Sequence, residues 1–108
     1  MEKEQREVTD FIAEYYGFSE QKEQLNEEIA ELCVALNKFK RYAIGNDYEA
    51  RLNEVIEEIA DVTIMLEQMK HLLEISDDTV SLVIYQKLKR QLDRIKQERR
   101  YKENEQGN

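Results

Sequence analysis

Glu27-Glu28-Ile29-Ala30-Glu31-Leu32 is followed, thirty residues later, by Glu57-Glu58-Ile59-Ala60-Asp61-Val62. The same offset carries Leu25 onto Val55 and Leu36 onto Leu66, so two stretches repeat one pattern of apolar residues three and four apart. That spacing draws one face of an α-helix, whereas a strand would need strict alternation. Working outward, a helix is predicted from about Ser19, a candidate N-cap, to about Ala43, with Leu25, Ile29, Leu32, Leu36 and Phe39 on its stripe. The next runs from about Tyr48 to Glu74 with Leu52, Val55, Ile59, Val62, Leu66 and Leu73 inward. Gly45-Asn46-Asp47 between them is the clearest turn, because Gly and Asn tolerate positive φ and Asp can cap the helix that follows. A short leading helix, about Glu7 to Tyr16, carries Val8, Phe11, Ile12 and Tyr15 and stops at Gly17. After the interruption Ser76-Asp77-Asp78, a last helix from about Thr79 to Arg100 carries Ile84, Leu88, Leu92 and Ile95.

Composition agrees with four helices. Of 108 residues 37% are charged, three are glycine and none is proline, which removes the strongest helix breaker. The expectation is one all-α domain over residues 1–102, with a modest core and a polar, disordered tail from Glu103 to Asn108. No run of about 18 apolar residues and no charged-then-apolar leader is present, so neither a membrane span nor a secretory signal is expected and the compartment is read as cytoplasmic. Cys33, the only cysteine, cannot form an internal disulfide or a Cys-type zinc site and is read as a small buried hydrophobe.

A net charge of −8 argues against a general nucleic-acid binder, which would set many Lys and Arg against phosphates. The charge is uneven, however. Residues 87–102 hold eight basic and two acidic side chains, about +6, which leaves about −14 elsewhere.

Helical geometry places the repeated acids. At about 100° per residue, with Glu28 as zero, the stripe of Leu25, Ile29, Leu32 and Leu36 centres near 70° and Glu31 falls near 300°. Glu58 and Asp61 hold the same phase on the next helix, each pair bordering the buried face. If the two helices pack antiparallel, four carboxylates converge, and like charges in a partly desolvated place repel or force one group to keep a proton. A divalent cation resolves this. An all-oxygen ligand set suits magnesium, with manganese as the alternative, and magnesium is the usual partner of substrate phosphates. A di-iron carboxylate bundle would want Glu-x-x-His pairs, and the lone histidine, His71, lies outside that spacing. Taken singly, an acidic pair on a helix border is ordinary solvated rim; matched phase in two helices is what distinguishes these. Gln21, Gln24 and Lys38 share the border, Ala35 leaves room beside it, and Met65 and Met69 extend it as apolar surface, read first as core.

Glu27-Glu28-x-x-Glu31 followed by Glu58-x-x-Asp61 resembles the signature of the MazG-like all-α nucleoside triphosphate pyrophosphohydrolases, relatives of the dimeric dUTPases and dCTP pyrophosphatases. Tyr16-Gly17-Phe18 with Gln21 and Gln24 resembles the lead-in to that motif, and Lys87-x-x-Arg90-x-x-x-Arg94 resembles the last helix, so the likeness covers most of residues 11–96. It implies a four-helix MazG-like bundle completed as a homodimer or homotetramer. It also implies magnesium-dependent hydrolysis of a nucleoside triphosphate to the monophosphate and pyrophosphate, a form of nucleotide-pool cleaning. Glu28, Glu31, Glu58 and Asp61 would hold the metal, with Glu28 or Glu31 orienting the attacking water. Gln21, Gln24, Lys38, Lys87, Arg90 and Arg94 would contact substrate. The alternative is a non-enzymatic helical module that regulates or binds a partner.

Overall fold

In a computed structural model the chain is described over residues 1–42 and 44–106. It forms three α-helices: α1, Lys3–Tyr42; α2, Asp47–Leu72; and α3, Asp77–Gln106. No strand occurs among the described residues, and none of their helices is long and apolar enough to cross a membrane. The chain divides into two units, Met1–Glu74 and Ile75–Asn108.

Three helices replace the expected four because the first two are joined through a kink at Gly17, whose φ of 84° and ψ of 171° are not helical. Its position as a break agrees with the sequence. With no side chain, glycine holds this backbone state without the clash an L-residue would meet. On either side of Gly17 the two limbs of α1 meet α2 in opposite senses. Before it, Arg6 pairs with Glu67, and Asp10 and Glu14 lie against His71. After it, Gln21 meets Gln68, Glu31 meets Glu58 and Phe39 stacks near Tyr48 with ring centroids 5.5 Å apart, the course of an antiparallel hairpin.

The turn falls where it was expected, with Gly45 at φ 61°. Asn46 rather than Asp47 holds the N-cap position, in an α conformation without a capping side-chain bond, and Asp47 opens the helix. The expected helix end at Ala43 lies outside the described residues. At the other end of α2 the backbone leaves the helix at Glu74, φ 56°, with Leu73 and Glu74 N–H groups donating to Met69 and His71 carbonyls. Ser76 then caps α3, its Oγ accepting the Thr79 N–H at 3.1 Å. α3 continues through the polar stretch expected to be disordered, as far as Gln106; Gly107 and Asn108 lie outside the described residues.

The hairpin seam differs from the stripe read in the sequence. α1 turns Gln21, Leu25, Glu28, Leu32, Ala35 and Phe39 toward α2, which answers with Val55, Glu58, Val62, Met65 and Gln68; all of these are buried or half-buried. Ile29, Leu36, Ile59 and Leu66, expected inside, are 43–49% exposed. The seam positions recur at steps of three and four, the spacing that keeps two helices in contact over several turns, and this choice carries Glu28 and Glu58 into the interface. Cys33, expected to be buried, is exposed on the side it shares with Ile29 and Leu36. In the leading limb, small Thr9 and Ala13 are buried, while Val8, Phe11 and Tyr15 are exposed. None of the described residues of α3 is buried.

Candidate metal centre

Midway along the hairpin, one carboxylate oxygen each from Glu28, Glu31 and Glu58 lies within 4.8 Å of the other two. Glu28 and Glu58 are half-buried and Glu31 is exposed, so the cluster opens to one side of the seam. Glu28 Oε2 and Glu58 Oε2 are both shielded from solvent with no hydrogen-bond partner.

The cost is visible in the acids' proton affinities. Glu58 is pushed up from 4.5 to about 7, first by burial, then by the charge of Glu31, a hydrogen bond with Glu28, and the charges of Glu28 and Asp61. Asp61 is also raised, by burial, then by the charge of Glu28, a hydrogen bond with it, and the charge of Glu57. Asp61 thus adjoins Glu28 while standing outside the tight group of three. Of the four acids expected to converge, Glu28, Glu31 and Glu58 are brought together and Asp61 is not part of that group.

Three carboxylates converging on a point with two unpartnered shielded oxygens form a donor set that fits a hard cation.

The other expected site residues are placed unequally. Gln24 donates its Nε2 to Glu28 Oε1 at 2.8 Å, so its amide orients a carboxylate of the cluster. Gln21 is buried and donates to Gln68 Oε1 at 2.6 Å, tying α1 to α2. Lys38 lines a groove of about 360 Å³ together with Ala30, Glu31, Val34, Ala35, Glu54, Glu57 and Glu58. The groove therefore runs from the carboxylates along small apolar residues to a lysine, and Ala35 borders it as expected. Met65 is buried in the seam. Lys87, Arg90 and Arg94 belong to the second unit and are exposed on α3.

Three features escaped the sequence reading. Gln68 is 2% exposed and completes the amide pair with Gln21; its seam position is evident only once the register is known. Glu57 forms part of the groove wall, and its charge raises Asp61. His71 joins α2 to the leading limb of α1, with Nε2 2.9 Å from Glu14 and Nδ1 3.5 Å from Asp10.

Comparison with protein-family models, with curated proteins and with solved structures found no match to this chain.

Proposed function

We propose that the chain is a magnesium-dependent nucleoside triphosphate pyrophosphohydrolase, releasing a monophosphate and pyrophosphate, with its site at Glu28, Glu31, Glu58 and Asp61. The observation that carries this is the convergence of Glu28, Glu31 and Glu58 within 4.8 Å at one end of an open groove that also presents Lys38. The likeness of the acid motif to the MazG-like enzymes, carried by these same residues, is consistent with it. The donor set is hard oxygen throughout, which favours magnesium over thiolate- or imidazole-seeking metals, with manganese next.

When bound there, magnesium supplies charge neutralisation on the phosphates and acidifies a coordinated water. The chain's own groups do the rest. Glu28, held through Oε1 by Gln24, keeps Oε2 free toward the cluster. Glu31, the exposed member, orients or deprotonates the water that attacks phosphorus as the pyrophosphate leaves. Lys38 offers positive charge along the groove to the phosphate chain, and Ala30, Val34 and Ala35 give it apolar walls. In phosphoryl chemistry positioning and electrostatics supply most of the acceleration, so a small set of residues suffices. The motif likeness assigns further phosphate contacts to Lys87, Arg90 and Arg94, and it expects a homo-oligomer in the cytoplasm.

The decisive test incubates the full chain with magnesium and a panel of canonical and oxidised nucleoside triphosphates and measures released pyrophosphate. Release from at least one, abolished in Glu31→Gln and Glu58→Gln while helical content stays, is the expected result. No release from any, together with no stabilisation of the fold by magnesium, would leave the acids as surface decoration and favour a protein-interaction module. The many exposed apolar side chains give that alternative its footing.

A further inference from the structure

The unit Ile75–Asn108 holds α3, a helix of 30 residues of which none is buried. At about 100° per residue, with Ile84 as zero, Val80, Ile84, Leu88, Leu92 and Ile95 fall between about −40° and 80°, a single apolar stripe. Lys89, Lys96 and Arg100 fall at about 120–160°, and Lys87, Arg90 and Arg94 at about 240–300°, so a basic row runs along each edge of the stripe. Asp93, at about 180°, is on the far side. We propose that α3 is an interfacial helix that lies flat on an anionic lipid surface, its apolar stripe among the acyl chains and both basic rows reaching the headgroups.

Charge and shape select that occupant. A second α3 docked on the stripe would set basic row against basic row, whether parallel or antiparallel. The row of alternating four- and three-residue steps through Ile84, Leu88 and Ile95 also takes in Gln91, Glu98 and Lys102, so it does not continue as a coiled-coil seam. A nucleic acid would satisfy the basic rows and leave the apolar stripe in water. A lipid surface satisfies both. It is planar and meets the two rows at once, while Lys and Arg bury their stems beside the stripe and carry their charge up to headgroup level. From Val80 to Ile95 the stripe is roughly 22 Å long at about 1.5 Å per residue. That length lies along the surface, since no described helix is long and apolar enough to cross a membrane. The unit Met1–Glu74 holds eighteen acidic and eight basic residues, a net of −10, and the same surface repels it, which confines the contact to α3.

The inference does not rest on the catalytic reading, and it is tested on residues that reading does not use. The full chain is mixed with vesicles of phosphatidylcholine alone or of phosphatidylcholine with phosphatidylserine, and the bound fraction is measured by flotation. Binding is expected to the anionic vesicles and not to the neutral ones. Lys89→Gln/Lys96→Gln should weaken it by about fivefold per charge removed. Leu88→Glu should abolish it with helical content retained. No binding by the native chain, or equal binding to both vesicles, overturns the proposal. So does a Leu88→Glu variant that binds anionic vesicles like the native chain, which would make the contact one of charge alone; if that variant also binds a DNA duplex as the native chain does, the basic rows belong to nucleic acid. Should Leu88→Glu lose helix, hydrogen exchange in the native chain decides. Anionic vesicles should slow the amides near Leu88 and Leu92 and leave those of the seam unchanged, and unchanged exchange along α3 overturns the proposal.

Discussion

Glu58 faces two costs when ionised, partial burial and the charges of Glu31, Glu28 and Asp61, and its affinity for a proton rises accordingly to about 7 from 4.5. An acid whose pKa is raised by folding contributes stability that is fully present below its unfolded value and is lost as pH climbs through its folded value. Here the window runs from about 4.5 to about 7, and the raised Asp61 acts in the same direction. With metal removed by chelator, thermal melts should therefore show stability falling as pH rises across that window. Glu58→Gln, which keeps the shape and removes the charge, should melt higher than the native protein above pH 7 and show a shallower pH slope. A native slope of the opposite sign, or a Gln variant less stable at high pH, would mean the carboxylates do not strain one another. At the proposed metal site, a bound cation would reverse this order by replacing repulsion with ligation. Added magnesium should raise the native melting temperature more at the upper end of the window than at the lower, because bound carboxylates must be deprotonated, and the Gln variant should lose most of that gain.

At the level of elements, the breaks were legible because each is written in local chemistry. Gly17 and Gly45 take positive φ, and Ser76 supplies the oxygen that starts α3. A Cβ at residue 17 would meet no neighbour, so Gly17→Ala tests backbone strain alone. At φ 84° and ψ 171° the expected cost is about 1–3 kcal/mol, read from denaturant melts. A neutral result would mean the two limbs are free to realign. The choice of seam was not legible in the same way. Each hairpin helix carries aliphatic residues on more than one face, and the face that pairs includes Gln21, Glu28, Glu58 and Gln68, which a hydrophobic pattern discounts. Only the partner helix makes those polar positions sensible, Gln21 and Gln68 by bonding to each other across 47 residues of sequence. The acid pairs were found because they repeat; the amide pair does not repeat and was missed in its structural role. Gln68→Leu alone should cost about 1–3 kcal/mol by stranding the buried Gln21 amide. Replacing both with Leu should restore most of that stability, and a double-mutant cycle showing no coupling would discount the bond.

Across the whole molecule, stability and charge are both unevenly divided. Met1–Glu74 contains every described buried residue, among them Ala13, Ala35, Val55 and Met65 in its core, and the fully enclosed Gln68. In the second unit α3 is 30 residues long, carries Ile84, Leu88 and Leu92 at least half exposed, and buries none of its side chains. A helix without tertiary burial relies on its own hydrogen bonds, on side-chain pairs three and four apart, and on its cap, and such helices open by fraying rather than with the core. Native-state hydrogen exchange at low protein concentration should therefore separate the units. Amides of the α2 seam around Val55 to Gln68 should open only with the global free energy, while amides in the middle of α3, near Leu88 and Leu92, should open for on the order of 1 kcal/mol or less. Raising salt should speed neither set greatly, since exposed charge pairs on a helix surface are screened and contribute little each. Equal protection of α3 and the seam would show that the apolar stripe of α3 is buried in solution, and that the chain's core is larger than the hairpin and its leading limb.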